Sequence, residues 1–205
     1  MSFAVIFDVH GEIPKYLDIR SKFPRTVQLG DLGFDYRDIP HDSHHVFFKG
    51  NHDNYDQNHE SDLGDYGMHI LGNVPFFFIR GGHSIDKSQR NRHIDYWPEE
   101  ELEYGKMRRC EEEYKRAKPD IVITHECPVR ATRKFFTETS ILHWWGYADD
   151  WSSPTSIFLD YLMDVHKPKL WIFGHHHAYR EGIVDGTHFF CSYELDAVTL
   201  EEIQS

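Results

Sequence analysis

Leu170-Trp171-Ile172-Phe173-Gly174-His175-His176-His177 is an apolar run that stops at a glycine and then presents three imidazoles. A short apolar run bounded by a breaker reads as a strand buried on both faces. Side chains two apart in an extended segment share a face, so His175 and His177 point one way and His176 the other. The same order of apolar strand, turn and metal-binding side chain occurs four more times. Phe3 to Phe7 ends at Asp8-Val9-His10, and Val27 to Leu29 ends at Gly30-Asp31. Val46 to Phe48 ends, one lysine later, at Gly50-Asn51-His52-Asp53, and Ile121 to Ile123 ends at Thr124-His125. In open α/β sheets, sites form in the crevice outside the carboxyl ends of the strands. Five strand ends facing one crevice are the simplest way to bring these residues together.

Helices fill the intervals. Pro98 to Ala117 opens with a proline and the acids Glu99 to Glu101 and closes with Lys115, Arg116 and Lys118, which matches the helix dipole at both ends. Ser153-Pro154 reads as an N-cap and first-turn proline for a helix through Asp164, with Ile157, Tyr161 and Leu162 expected to face the core. A shorter helix from Glu12 to Arg20 is weakened by Pro14. Val74 to Ile79 reads as a further strand. Asp185-Gly186 marks a hairpin turn, and Phe189 to Tyr193 and Ala197 to Leu200 read as antiparallel strands. The expected class is α/β, a two-sheet β-sandwich flanked by helices, in a single domain over residues 1–205. Residues 128–153 fit neither period. They carry Phe135, Phe136, Trp144, Trp145, Tyr147 and Trp151, and read either as an insertion capping the site or as a helical excursion packed on the core.

At 205 residues, 40% of them apolar and 15% aromatic, the chain is long and apolar enough for one ordered core. Its apolar stretches fall far short of the ~20 residues a membrane span requires. The sequence runs from Met1 straight into a candidate strand without a basic leader. Cys110, Cys127 and Cys191 are odd in number and lack CxxC spacing, so the expectation is a cytoplasmic protein with reduced thiols. A formal charge of −12 disfavours extended nucleic-acid binding, which draws on many Lys/Arg contacts to phosphate. Of the sixteen histidines, His41, His44, His45, His59, His69 and His166 lie in polar loops or lack obvious partners and read as solvated or structural.

A metal pair about 3.5–4 Å apart polarises a phosphoryl oxygen and generates hydroxide near neutral pH, and it needs a bridging carboxylate together with imidazoles. Asp31, after a glycine that permits close backbone approach, suits the bridge. Asn51 offers a neutral oxygen, and His125, His175 and His177 offer ring nitrogens. This ordered set resembles the calcineurin-like metallophosphoesterase superfamily, whose pattern is D-x-H, G-D, G-N-H-[D/E], H and G-H-x-H. The motifs span about five-sixths of the chain. The resemblance implies a four-layer α/β/β/α fold and two divalent metal ions, manganese first, with iron, zinc or nickel as alternatives. It implies that Asp8, His10, Asp31 and His177 hold one ion, while Asp31, Asn51, His125 and His175 hold the other. It places His52 near the leaving-group oxygen, as general acid or transition-state stabiliser, with Asp53 orienting its imidazole. Water activated by the two metals would attack phosphorus directly.

Departures from the family pattern narrow the reading. Protein phosphatases of this superfamily show G-D-x-x-D-R-G and R-G-N-H-E, whereas this chain has Gly30-Asp31-Leu32-Gly33-Phe34 and Lys49-Gly50-Asn51-His52-Asp53. Without those arginines, a phosphodiesterase acting on a nucleotide-like or small phosphodiester is favoured. A phosphomonoesterase is the alternative, and a non-catalytic scaffold with the same fold is a third reading. Asp35 has no assigned role. Substrate grip is expected from the basic stretch after Val74 to Ile79, with Arg80, His83, Arg90 and Arg92 as phosphate contacts. Trp97, Trp144 and Trp145 either stack a nucleobase or pack the core.

Overall fold

The computed structural model describes residues 3–138 and 140–204. Residues 1, 2, 139 and 205 lie outside the described residues, and with them both ends of the 1–205 expectation and one position of the 128–153 segment. In chain order the first half holds β1 (Ala4–Ile6), α1 (Ile13–Arg20), β2 (Thr26–Gln28), β3 (His45–Phe47), β4 (Tyr66–Leu71) and β5 (Val74–Ile79). Then come α2 (Tyr104–Ala117), β6 (Ile121–Thr124), α3 (Val129–Phe135), α4 (Ser140–Trp144) and α5 (Pro154–Val165). The chain closes with β7 (Leu170–Phe173), β8 (Arg180–Val184), β9 (Thr187–Cys191), β10 (Ala197–Thr199) and α6 (Leu200–Gln204).

Two mixed sheets form, one ordered β10-β1-β2-β3 and the other β4-β5-β6-β7-β9-β8. β1, β2 and β3 are mutually parallel, as are β5, β6, β7 and β9. Period-two alternation assigns each strand's side chains to a layer. Phe76 and Phe78 join Phe3, Phe48, Ile123 and Ile172 in the core between the sheets. Phe77 and Ile79 point the other way, where Cys110, Tyr114, Leu159, Leu162 and Met163 of the helices cover them. On the far side of the smaller sheet, Ile6 and Phe47 pack with Tyr16 of α1 and with Leu32, Tyr36 and Ile39. Three clusters separated by two sheets make the four layers α/β/β/α.

Several local expectations shift. The helix expected from Pro98 begins at Tyr104, and Pro98–Glu100 is a separate 3-10 turn. Its acids are drawn away from a helix N-terminus: Glu100 is buried and accepts hydrogen bonds from Ser84 N at 2.9 Å and Ser84 Oγ at 2.7 Å. Ser153 caps α5 as expected, accepting from Ser156 N at 2.8 Å. Of the three residues expected to face the core, only Leu162 does, while Ile157 and Tyr161 are 55% and 46% exposed. The buried stripe runs through Thr155, Leu159, Leu162 and Met163, spacings of four, seven and eight that place residues 157 and 161 on the opposite face. Pro14 sits in the first turn of α1, where its missing N–H costs nothing. β10 crosses to the smaller sheet and pairs antiparallel with β1, not with β9. The β4–β5 hairpin, unread in the sequence, turns at Gly72-Asn73, both at positive φ as a two-residue type I′ turn requires. No described helix is long and apolar enough to cross a membrane.

Phe76 lies between the sheets against Phe3, with ring centroids 5.3 Å apart. Phe76→Ala is therefore expected to cost about 3–5 kcal/mol, read from the urea unfolding midpoint. A loss below about 1 kcal/mol would contradict this placement.

Candidate metal centre

The carboxyl ends of parallel strands from both sheets meet along one seam. Val9 N and His10 N, after β1, both donate to Asp31 O at 2.8 Å, after β2. Across the seam, His175 N donates to Asp8 Oδ1 at 2.9 Å, and Gly174 N donates to His125 O at 2.9 Å. His10, Asp31, His175 and His177 adopt left-handed backbone conformations, with φ of 50°, 57°, 67° and 48°. Such conformations cost non-glycine residues roughly 1 kcal/mol or more each and persist where surrounding structure over-determines them. Two glycines are required by close approach. A Cβ at Gly50 would overlap Asp31 Oδ1, and one at Gly174 would overlap Asp8 Oδ2.

Two groups of donors result. In the first, ligand atoms of Asp8, His10, Asp31 and His177 all lie within 4.8 Å of one another, and in the second so do those of Asp31, His125 and His175. Asn51 Oδ1 completes the second group, 2.9 Å from both His125 Nε2 and His175 Nδ1. Asp31 belongs to both: Oδ2 lies 3.7 Å from His10 Nε2 and Oδ1 lies 3.2 Å from His125 Nε2. His125 Nδ1 donates to Leu29 O at 3.2 Å, which turns Nε2 toward Asp31 and Asn51. His177 Nδ1 lies 2.9 Å from Glu194, so its Nε2 faces the first group, 2.9 Å from His10 Nε2.

The electrostatics of this cluster call for cations. Asp8 Oδ2 and Asp31 Oδ2 are fully buried and have no hydrogen-bond partner in the protein. Burial pushes the Asp31 carboxyl up, but His125, His52 and His10 together hold it below its ordinary value. Burial alone would lower the His125 imidazole, yet Asp31, Asp8 and Asp53 outweigh it and push it up to about 9. Burying an uncompensated carboxylate oxygen costs several kcal/mol. Carboxylate, amide and imidazole donors converging through a shared carboxylate are chemically suited to divalent cations.

The remaining sequence candidates divide. His52 flanks the first group edge-on to His10, with ring centroids 4.9 Å apart, and lines a cavity of about 550 Å³ with Asp31, Asn51 and His175. Burial lowers its imidazole pKa, Asp31 raises it, and Arg90 with the neighbouring histidines lowers it further. Arg90 Nη2 lies 2.7 Å from His52 Nε2, and Asp86 holds the same guanidinium at 2.8 Å. Asp53 does not touch His52. Its carboxylate accepts from Leu32 N, Gly33 N, Gly50 N and the Tyr36 hydroxyl, which saturates it and makes it a clasp between the Gly30 and Gly50 loops. His83 lines the cavity. Arg80 does not: it is buried on Asp65, on Glu99 O and over the Tyr55 ring. Arg92 is exposed and is not part of the cavity lining either. His176 faces away from the donor groups and stacks on Phe136, with centroids 4.1 Å apart.

Sequence reasoning missed the residues that hold the donors. Asn51 Nδ2 donates to Ser84 Oγ at 3.1 Å, which in turn donates to Glu100, so the Asn51 carbonyl is turned toward the two imidazoles. Glu126 lines the cavity, accepting from Ser153 Oγ and His83 N. The only sequence signal for these was an acidic residue next to His125 and another beside the Pro98 turn, neither at ligand spacing.

No protein-family model matches the sequence, and no curated protein matches it either. Solved structures do. A putative 5′-nucleotidase from Staphylococcus aureus superposes with a TM-score of 0.52 at 14% identity, over 97% of this chain and 50% of the nucleotidase. GAP50, the anchor in the inner membrane complex of Plasmodium, gives 0.52 at 13% identity over 94% and 71%. The chain has the calcineurin-like metallophosphoesterase fold. Phosphopantetheinyl hydrolase from Mycobacterium tuberculosis is also similar, at 13% identity and a TM-score of 0.45, over 94% of this chain and 89% of that one. The metallophosphoesterase fold accounts for the crevice. The Ser84–Glu100 support, the Arg90–Asp86 pair and the cavity wall are features of this chain's own residues.

Ser84→Ala removes the acceptor that orients the Asn51 amide. Losing a partner that orients a metal ligand costs about 10–100-fold in metal affinity, so calorimetric titration with Mn²⁺ is expected to show one of two binding events weakened by that factor. Two unchanged events would refute the orienting role.

Proposed function

We propose that this chain is a dinuclear metal-dependent phosphoesterase and that its preferred substrates are phosphodiesters. The observation that carries the reading is the pair of donor groups sharing Asp31, with buried carboxylate oxygens that no protein group satisfies. Asp8, His10, Asp31 and His177 would hold one ion, and Asp31, Asn51, His125 and His175 the other. Such a pair, when bound, supplies Lewis acidity toward a phosphoryl oxygen and acidifies water near neutral pH.

The chain's own residues supply the rest. His52, on the cavity wall beside both donor groups, would face the departing alkoxide oxygen as general acid or transition-state stabiliser. Arg90 binds a phosphoryl oxygen and, through its contact with His52, keeps that ring in place. The absence of the phosphatase arginines after Gly30 and before Gly50 leaves Arg90 as the guanidinium at the site, which suits the single negative charge of a diester. Residues 128–153 act as a cap on a single domain, since Thr132, Phe136, Leu142, Trp145 and Trp151 close the side of the cavity opposite the strand ends.

Elemental analysis of protein loaded with Mn²⁺ is expected to give two ions per chain, and Asp31→Asn fewer than one. Hydrolysis of bis(p-nitrophenyl) phosphate should depend on that metal and exceed hydrolysis of p-nitrophenyl phosphate. The reverse preference would replace the diesterase reading with a monoesterase one. His52→Ala should lower turnover by about 10²–10⁴-fold with the metal content unchanged, and undiminished turnover would sink the role given to His52.

A further inference from the structure

The cavity beside the candidate metal centre has two kinds of lining. The donor residues Asp31, Asn51 and His175 make it polar, and Phe136, Leu142, Trp145 and Trp151 give it an aromatic and aliphatic wall. Two members of this wall, Trp151 and Phe136, are held in place. The Trp151 ring lies 4.8 Å from the His83 ring and 4.3 Å from Tyr147, centroid to centroid. His83 Nδ1 is fixed by Glu101 at 2.9 Å, and Glu101 also accepts from Thr155 N at 3.2 Å, at the start of α5. Phe136 is stacked on His176, and the guanidinium of Arg180 lies 5.3 Å from its ring centre. A preorganised aromatic surface binds a flat apolar group without first having to order its own side chains.

Charge sets a second limit. Among the described residues that line the cavity, Arg90 is the one arginine or lysine, and Asp86 already pairs with it. Glu138 adds a carboxylate to the lining, and Glu126 adds a carboxyl that burial pushes up to about 8. With the metals and Arg90 engaged by the first phosphoryl group, a second would meet the acidic side chains of the lining with no unpaired arginine or lysine among its described residues, which is costly in a partly desolvated cavity. About 550 Å³ is room for a small organic group, not for a polymer.

We infer that the substrate carries one phosphoryl group and that its organic part is a flat, conjugated apolar ring seated against Trp151, Trp145 and Phe136. This rests on the phosphoesterase reading, which it narrows. Nucleoside di- and triphosphates and sugar phosphates are excluded by it, the first two by charge and the last by the apolar wall.

The test is binding of non-hydrolysable phosphonates to the Mn²⁺-loaded protein by calorimetry. Phenylphosphonate is expected to bind at least about tenfold more tightly than methylphosphonate, and pyrophosphate more weakly than phenylphosphonate. Trp151→Ala and, separately, Trp145→Ala should each narrow the phenyl-to-methyl ratio, and either one, if folded by circular dichroism, suffices. Equal affinity for the two phosphonates, an unchanged ratio in both folded variants, or tighter binding of pyrophosphate would overturn the inference while leaving the phosphoesterase proposal standing. No binding of either phosphonate, together with no turnover of any phosphoester, would overturn both.

Discussion

The buried carboxylate of Asp31 is the constraint on which the rest of the site depends. It sits at 1% exposure between two groups of imidazoles, in a left-handed backbone conformation, with one oxygen directed to each group. Its Oδ1 accepts from His52 N at 2.7 Å, but Oδ2 has no donor. Charge taken out of water must be met by opposite charge or by hydrogen bonds. Here the protein supplies only part of that, through histidines whose protons a metal would displace. Cations bound there would supply the missing charge, and their binding free energy would add to folding free energy.

Strain at the ligand positions follows from the same demand. A donor set drawn from five strand ends must converge on a point, and regular strand geometry carries adjacent side chains to opposite faces. Left-handed turns at His10, Asp31, His175 and His177 bend the chain so that their side chains meet. What holds those turns is backbone hydrogen bonding across the seam and the Asp53 carboxylate, which clasps the loops after β2 and β3 by three N–H groups and one hydroxyl. Asp53 therefore acts on the loops that carry Asp31 and Asn51, while the side chain within hydrogen-bond distance of the His52 ring nitrogens is Arg90.

Around that rigid floor, the longer loops specialise. The stretch after β5 turns back through Ser84 and Glu100 to fix Asn51, and through Arg90 to reach His52. The α3–α5 region contributes the aromatic wall. Both sets of contacts are long-range: Ser84 lies 33 residues from Asn51, and Arg90 lies 38 residues from His52. They shape the cavity beside the donor groups, whereas the strand ends set only where the donors converge.

The sequence by itself determined the strand-turn-ligand units and hence the two-sheet sandwich, because strand burial and the i, i+2 sharing of a face are local properties that a short window displays. That Asp8, His10, Asp31, Asn51, His125, His175 and His177 come together was legible for that reason. The tertiary structure alone decided what surrounds them. Glu100 and Glu101 read as a helix start and became the supports of Ser84 and His83. Arg80 read as a phosphate contact and became an ion pair with Asp65 in the interior. Asp53 read as the partner of His52 and became a clasp. In each case the side chain's partner lies on a distant segment, and a charged residue carries no mark of which opposite charge the folded chain will bring to it.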